Sequence, residues 1–290
     1  MRIAAWLLFL ILLSGMQAQT LRIGFYDSTS YAMKSADFRL GMQIWIKELT
    51  REKNIMTEVR YYSNPKKLAD DFSQGTINMA VATPLIFVRY FDPALMLPGI
   101  VGYKSSKEKS SNLLLLVRKE DRKKPLGRLL SGSIAISQLA DGGRLYLKKL
   151  ALEQGNADTL HFLETRGQAQ AIFKLFFKKA DLCVVTEAAF ETACELNPQL
   201  GKKLAVYKKE NLYIGNFTFL RKGMDRRIRE IIVKKSAEIL DSARGRQVMI
   251  MFGSDTLGPC NLADLETTRS LYRDYLLLRK KKSRERIHEK

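Results

Sequence analysis

Two short apolar runs, each opened by a turn-forming polar residue and closed by Thr, mark corresponding places in the two halves of the chain. The first is Asn78-Met79-Ala80-Val81-Ala82-Thr83 and the second Asp181-Leu182-Cys183-Val184-Val185-Thr186. Apolar runs of this length between turn signals read as strands buried on both faces of a parallel sheet. The closing Thr then falls at the carboxyl end of a strand and at the N-cap of a following helix, Pro84 onward in one copy and Glu187 onward in the other.

The segments before each run follow one order. Leu21–Tyr26 reads as a strand, and Met42, Trp45, Ile46 and Leu49 form one stripe at helical spacing. Val59–Tyr62 is a second strand. Ser63-Asn64-Pro65 reads as a cap with Pro in the first turn, opening a helix that carries Leu68 and Phe72 and stops at Gly75. In the second half Ser133–Ser137 is a strand, Leu139–Gln154 a helix ended by Gly155, and His161–Glu164 a strand. Ala169, Ile172, Phe173 and Phe176 then mark the helix that leads into Asp181. Strand and helix alternate three times in each half, which predicts two right-handed crossover sheets. Two long strands, at 112–118 and 211–221, are expected to carry the chain between lobes. The C-terminal stripes, Ile228, Ile231, Ile232 and Ile239 and then Leu265, Tyr272 and Leu276, are expected back on the first lobe. The fold class is thus α/β with two lobes, each a mostly parallel sheet flanked by helices. The expected division is 1–18 as a signal peptide, 19–118 with 208–290 as one lobe, and 119–207 as the other.

Composition narrows the setting. A hydrophobic share of 46% and a charged share of 27% are those of a folded chain. Met1-Arg2, the apolar stretch Ala4–Leu13 and the small-residue ending at Ala18 read as a secretory signal peptide, cut after Ala18, so the mature protein is expected in a periplasm. Three cysteines (Cys183, Cys194, Cys260) are too few for a disulfide framework. The net charge of +19 raises nucleic acid or an anion as partner. Export argues against nucleic acid, and solvated helix faces are the plainer account of most of these cations. With two histidines and no nucleophile elbow, phosphate loop or zinc spacing, no catalysis, cofactor or metal is expected.

Leu21-Arg22-Ile23-Gly24, Phe72 through Ala80, Asn112 through Arg118, and Ala171-Ile172-Phe173 through Leu182 stand in an order and spacing that resemble the PhnD-like periplasmic substrate-binding proteins of ABC importers. That resemblance implies the type II periplasmic-binding-protein fold, its lobes joined by two crossover strands. It also implies a small ligand of phosphate, phosphite or phosphonate kind and a membrane permease as partner. Phosphonate binders of the family carry Ser-Thr-Ser-Gly at the helix start after the second lobe's first strand. This chain has Ser137-Gln138-Leu139-Ala140-Asp141-Gly142-Gly143-Arg144 there. Gly142 and Gly143 still allow backbone N–H groups to approach an anion, and Arg144 adds donors, but Asp141 opposes one.

Open α/β sheets hold ligands at the carboxyl ends of their strands. The residues expected to line the cleft are therefore Tyr26, Ser28, Thr29, Ser30 and Tyr31 after the first strand, Tyr62 after the second, and Thr83 after the third. On the other lobe they are Ser137, Gln138, Gly142, Gly143 and Arg144, then Arg166 and Gln168, and finally Thr186 and Glu187. Each has a plainer role beside the functional one. The first group can be a polar turn, the threonines helix caps, and Glu187 a complement to the helix dipole. The expected function is an exported, monomeric, non-catalytic receptor that delivers its solute to an ABC importer. The alternative is a periplasmic sensing or accessory protein docking on a membrane sensor kinase.

Overall fold

The computed structural model describes residues 20–26, 35–50, 55–103, 112–137, 141–155, 160–213, 215–251, 254 and 256–288; the expected signal peptide and the loop after the first strand lie outside it. The first half runs β1 (Thr20–Tyr26), α1 (Ser35–Thr50), β2 (Met56–Tyr62), α2 (Pro65–Gln74), β3 (Met79–Ala82), α3 (Pro84–Tyr90) and β4 (Met96–Tyr103). After β5 (Asn112–Arg118) and α4 (Leu126–Leu130), the pattern repeats as β6 (Ser133–Ser137), α5 (Asp141–Glu153), β7 (His161–Thr165), α6 (Gln168–Phe176), β8 (Leu182–Thr186) and α7 (Glu187–Leu196). The chain closes with α8 (Pro198–Lys203), β9 (Leu204–Asn211), β10 (Phe217–Arg221), α9 (Arg226–Ala237), α10 (Ala243–Met251), β11 (Thr256–Cys260) and α11 (Glu266–His288). The signals read for α2 do their work locally. Asn64 accepts from the Lys66 and Lys67 N–H groups, Pro65 opens the helix, and Gly75 closes it at φ 78.

The duplication is plain in the topology. One sheet has the order β11-β4-β10-β3-β1-β2 and the other β7-β6-β8-β5-β9. In both, the first strand of the repeat is flanked in parallel by the second and third, and an antiparallel strand lies on the far side of the third. Alternate residues of the central strands feed opposite faces, as the two-residue period requires. Met79 and Val81 enter the core built by α1 and α9, while Ala80 and Ala82 enter the one built by α2 and α3. Leu113, Leu115, Val117, Ile134, Ile136, Leu182 and Val184 pack on one side of the second sheet, and Leu114, Leu116, Ala135, Cys183 and Val185 on the other.

Three expectations are corrected. Strand β5 does not bridge the lobes: it lies inside the second sheet, between β8 and β9, so the boundary set after Arg118 moves to before Asn112. Its five consecutive buried residues need a core on each face, which a crossing segment lacks. The strand expected over 211–221 is two strands, with β9 in the second sheet from Leu204 and β10 in the first, so the crossings are the segments before Asn112 and after Asn211. Finally, α11 does not return to the first lobe alone, because it packs along α5 and also against α3.

Candidate ligand-binding site

Strand directions bring the carboxyl edges of the two sheets toward each other. Phe217, which opens β10, pairs with Ala82 at the end of β3, and Asn211, which closes β9, pairs with Asn112 at the head of β5. Asn112 precedes Leu113, the partner of Thr186 at the end of β8. A connection of six residue steps from Asn211 to Phe217 spans about 20 Å at most. The ends of β3 and β8 are thus tethered across a short gap.

The two lobes touch inside that gap. Thr83 is buried at the N-cap of α3, yet its hydroxyl makes no capping bond and instead donates to Asp141 Oδ2 at 2.5 Å. The other carboxyl oxygen of Asp141 accepts the Gly142 N–H at 2.6 Å. An Asp at the first turn of α5 thus holds its own carboxyl against the helix start and the opposite lobe together. Burial pushes this carboxyl above its ordinary range, against the pull of the Thr83 and Gly142 hydrogen bonds and of the Arg89 and Arg144 charges. Gly142 and Gly143 are themselves buried, and Ser137 is buried at the end of β6.

The second copy of the motif uses its Thr differently. Thr186 caps α7 through the Ala189 N–H, and its own N–H is taken by Gln168 Oε1 at 2.5 Å. Glu187 accepts from Lys209 Nζ at 2.8 Å and from Asn112 Nδ2 at 2.6 Å. Lys209 and Asn112 hold the Glu187 carboxyl below its usual range. These contacts all lie within the second lobe, and they make Glu187 a brace across β5, β8 and β9. Asn112 and Lys209 went unread in the sequence because the pairing that joins them to Glu187 is non-local. The one local signal was a polar residue heading an otherwise apolar strand.

The remaining expected residues spread out. Arg144 lies 5.0 Å over the Phe162 ring and donates to Glu164 at 2.9 Å. Arg166 is exposed, with its backbone N–H bonded to Gln170 Oε1. Tyr26 ends β1 partly buried against the core of α2 and α3. Tyr62 is buried in the core of α2 and α3, and its hydroxyl donates to Asp71 at 2.8 Å. Ser28, Thr29, Ser30, Tyr31 and Gln138 lie outside the described residues. Among the described residues no cluster of His, Cys, Asp and Glu could hold a metal ion, and Cys183, Cys194 and Cys260 are not joined in disulfides.

The family model for the phosphonate periplasmic substrate-binding protein of ABC transporters matches residues 32–265. A Xanthomonas citri protein solved bound to ATP superposes with a TM-score of 0.61 at 12% identity, over 90% of this chain and 98% of its own. The binding-protein component of an ABC phosphonate transporter from Pseudomonas aeruginosa gives 0.60 at 11%, over 90% and 88%. PhnD1 of Prochlorococcus marinus, solved with methylphosphonate, gives 0.60 at 10%, over 89% and 98%. At such identities the likeness to these structures is one of fold. No curated protein matches the sequence.

Proposed function

This chain belongs to the family of phosphonate periplasmic substrate-binding proteins of ABC transporters, and from that premise we propose that it closes its two lobes on a small solute bearing an oxyanionic group and presents it to an ABC permease. The observation that carries the reading is the hydrogen bond from Thr83 of the first lobe to Asp141 of the second. The Thr83 hydroxyl and the Gly142 N–H are two donors, one from each lobe, that converge on a single carboxyl group. A phosphonate or similar oxyanion has the same acceptor chemistry and would draw on the same pair. Asp141 is then a competitor, and it must swing away for the solute to enter. Arg89 and Arg144 favour negative charge at this place, whether it comes from Asp141 or from the solute. Delivery to a permease follows from the family, and the chemistry here is capture rather than catalysis. Export would use residues 1–18, with cleavage after Ala18 read by N-terminal sequencing of the mature protein.

The experiment is a thermal-shift and calorimetric titration of wild type, Asp141→Ser and Thr83→Val with methylphosphonate, inorganic phosphate and a short alkyl sulfonate. A ligand that binds the native state alone raises Tm. Asp141→Ser is expected to bind an oxyanion at least about tenfold more tightly, since one like charge is gone from a poorly hydrated place. Thr83→Val is expected to lose about tenfold, the worth of one charge-assisted hydrogen bond. Absence of any oxyanion response in both wild type and Asp141→Ser would end this assignment of the solute.

A further inference from the structure

One end of the second lobe gathers a set of exposed cations. Strands β6, β7, β8 and β9 begin at that end and β5 finishes there, so it is the edge opposite the candidate site. Arg118 is its centre. The guanidinium donates to the Ala180 carbonyl at 2.6 Å and pairs with Asp121 at 2.7 Å and Asp181 at 3.3 Å, while the Arg118 backbone pairs with Leu204. The turns after β5 and α6 and the junction of α8 with β9 are thereby drawn together, and Lys178 reaches Glu120 at 3.3 Å to close the ring.

What these turns present outward is basic. Lys119, Arg122, Lys123, Lys179, Lys202 and Lys203 are all exposed. The carboxylates nearby are already engaged: Asp121 by Arg118 and Lys124, Asp181 by Arg118 and Ser133, Glu120 by Arg118 and Lys178. An apolar group stands among the cations. The Phe177 side chain is 62% exposed, stacked on Phe173 at 6.2 Å and edge-on to Phe176 at 5.1 Å. Lys178, at φ 59, turns the chain sharply just after it. Leaving such a ring in water is unfavourable, and a surface that is both anionic and apolar below its charged layer relieves that and the charge together.

We infer that this end of the second lobe docks on an anionic phospholipid surface, with lysines meeting the headgroups and Phe177 entering the interface. A periplasmic location puts a membrane leaflet within reach and nucleic acid out of it. The amphipathic mix of ring and lysines also suits a bilayer interface better than a purely charged partner. The inference is independent of which solute the cleft takes.

The test is flotation of the exported full chain with phosphatidylcholine vesicles, with and without phosphatidylglycerol, at low and high salt. Flotation is expected with phosphatidylglycerol alone and should vanish at high salt, because headgroup attraction is screened within a Debye length. The triple variant Lys123→Glu, Lys179→Glu, Lys203→Glu should weaken vesicle binding on the order of 100-fold, and Phe177→Ser several-fold. A matched reversal on the first lobe, Lys222→Glu, Arg227→Glu, Lys234→Glu, changes the same net charge from exposed positions and should weaken it far less. Equal loss in both triple variants, flotation with phosphatidylcholine alone, no flotation, or preferential capture by the soluble polyanion heparin would each overturn the docking surface. Solute titration of the same variants keeps this result separate from the cleft assignment.

Discussion

Asp71 on the first lobe and Asp141 on the second are carboxylates that burial acts on with opposite outcomes. Burial raises both, but at Asp71 the Tyr62 hydroxyl and Lys67 ammonium outweigh it and bring the carboxyl below its usual range. At Asp141 burial wins. An ordinary unfolded-chain Asp titrates near about 3.9. The depressed Asp71 therefore contributes stability that is full above that value and is lost as pH falls through its lower folded pKa. For the raised Asp141 the sign reverses: its contribution is full below the unfolded value and is lost as pH rises through the higher folded one. Asp141→Asn keeps an acceptor for Thr83 and cannot ionise. It is expected to raise Tm at neutral pH, with the gain shrinking to nothing near pH 3; a Tm series for wild type and variant checks this. A variant that is less stable at neutral pH and matches wild type only in acid would show that the ionised carboxylate is the favoured partner of Thr83. Tyr62→Phe tests the other case, with an expected loss of about 1–2 kcal/mol in urea unfolding at neutral pH. Part of that loss should disappear in acid, once Asp71 protonates in both proteins.

Elements differ in how far they could be read. The parallel strands and their helices were legible because each carries its own signals: apolar runs between turn residues, a Pro or Thr at the helix start, Gly75 at a helix end. Strand β4 was not legible, because Met96–Tyr103 contains Pro98, Gly99 and Gly102 and looks like a turn. Its glycine has a packing reason. A Cβ on Gly99 would run into the carbonyl oxygen of Thr218 on the neighbouring β10, beside the point where the register of that pair shifts. Strand β11 was equally hidden, with Pro259 tolerated because the strand lies at the sheet edge. The sheet membership of β5 and β9 was beyond local reading, since it depends on which partners close the second sheet. For the site, Thr83 was legible from its place after a strand. Its use was not, because Thr186 in the matching place caps its own helix while Thr83 reaches the opposite lobe. Gly99→Ala should cost about 3 kcal/mol or more, since the clash is with backbone that cannot step aside. Chemical unfolding measures it, and a loss under about 1 kcal/mol would mean β4 and β10 can part there without damage.

At the scale of the whole molecule, the two lobes are joined by more than their two connecting segments. Helix α11 lays Leu271, Tyr272 and Tyr275 on the core of the second lobe, and Leu85 of α3 enters that same core from the first. Arg89 of α3 lies 5.6 Å from the centre of the Tyr272 ring and 5.0 Å from that of Tyr90. Opening the cleft therefore has to separate α3 from α5 and slide α3 against α11, in addition to breaking the Thr83–Asp141 bond. Such a brace is expected to bias the open–closed balance without touching solute. A cation–π contact of this kind is worth about 1 kcal/mol, so Tyr272→Leu, which keeps apolar bulk against α5, should raise the ratio of open to closed molecules about fivefold. Small-angle scattering should report a larger radius of gyration, and amide exchange should quicken in the first turns of α3 and α5 more than in β1 or β8. A saturating solute binds the closed form and should return both readouts toward wild type, at the cost of a similar fivefold loss in apparent affinity. If Tyr272→Leu leaves scattering, exchange and affinity unchanged, α11 is a passive cover and the balance rests on the connecting segments and the Thr83–Asp141 bond.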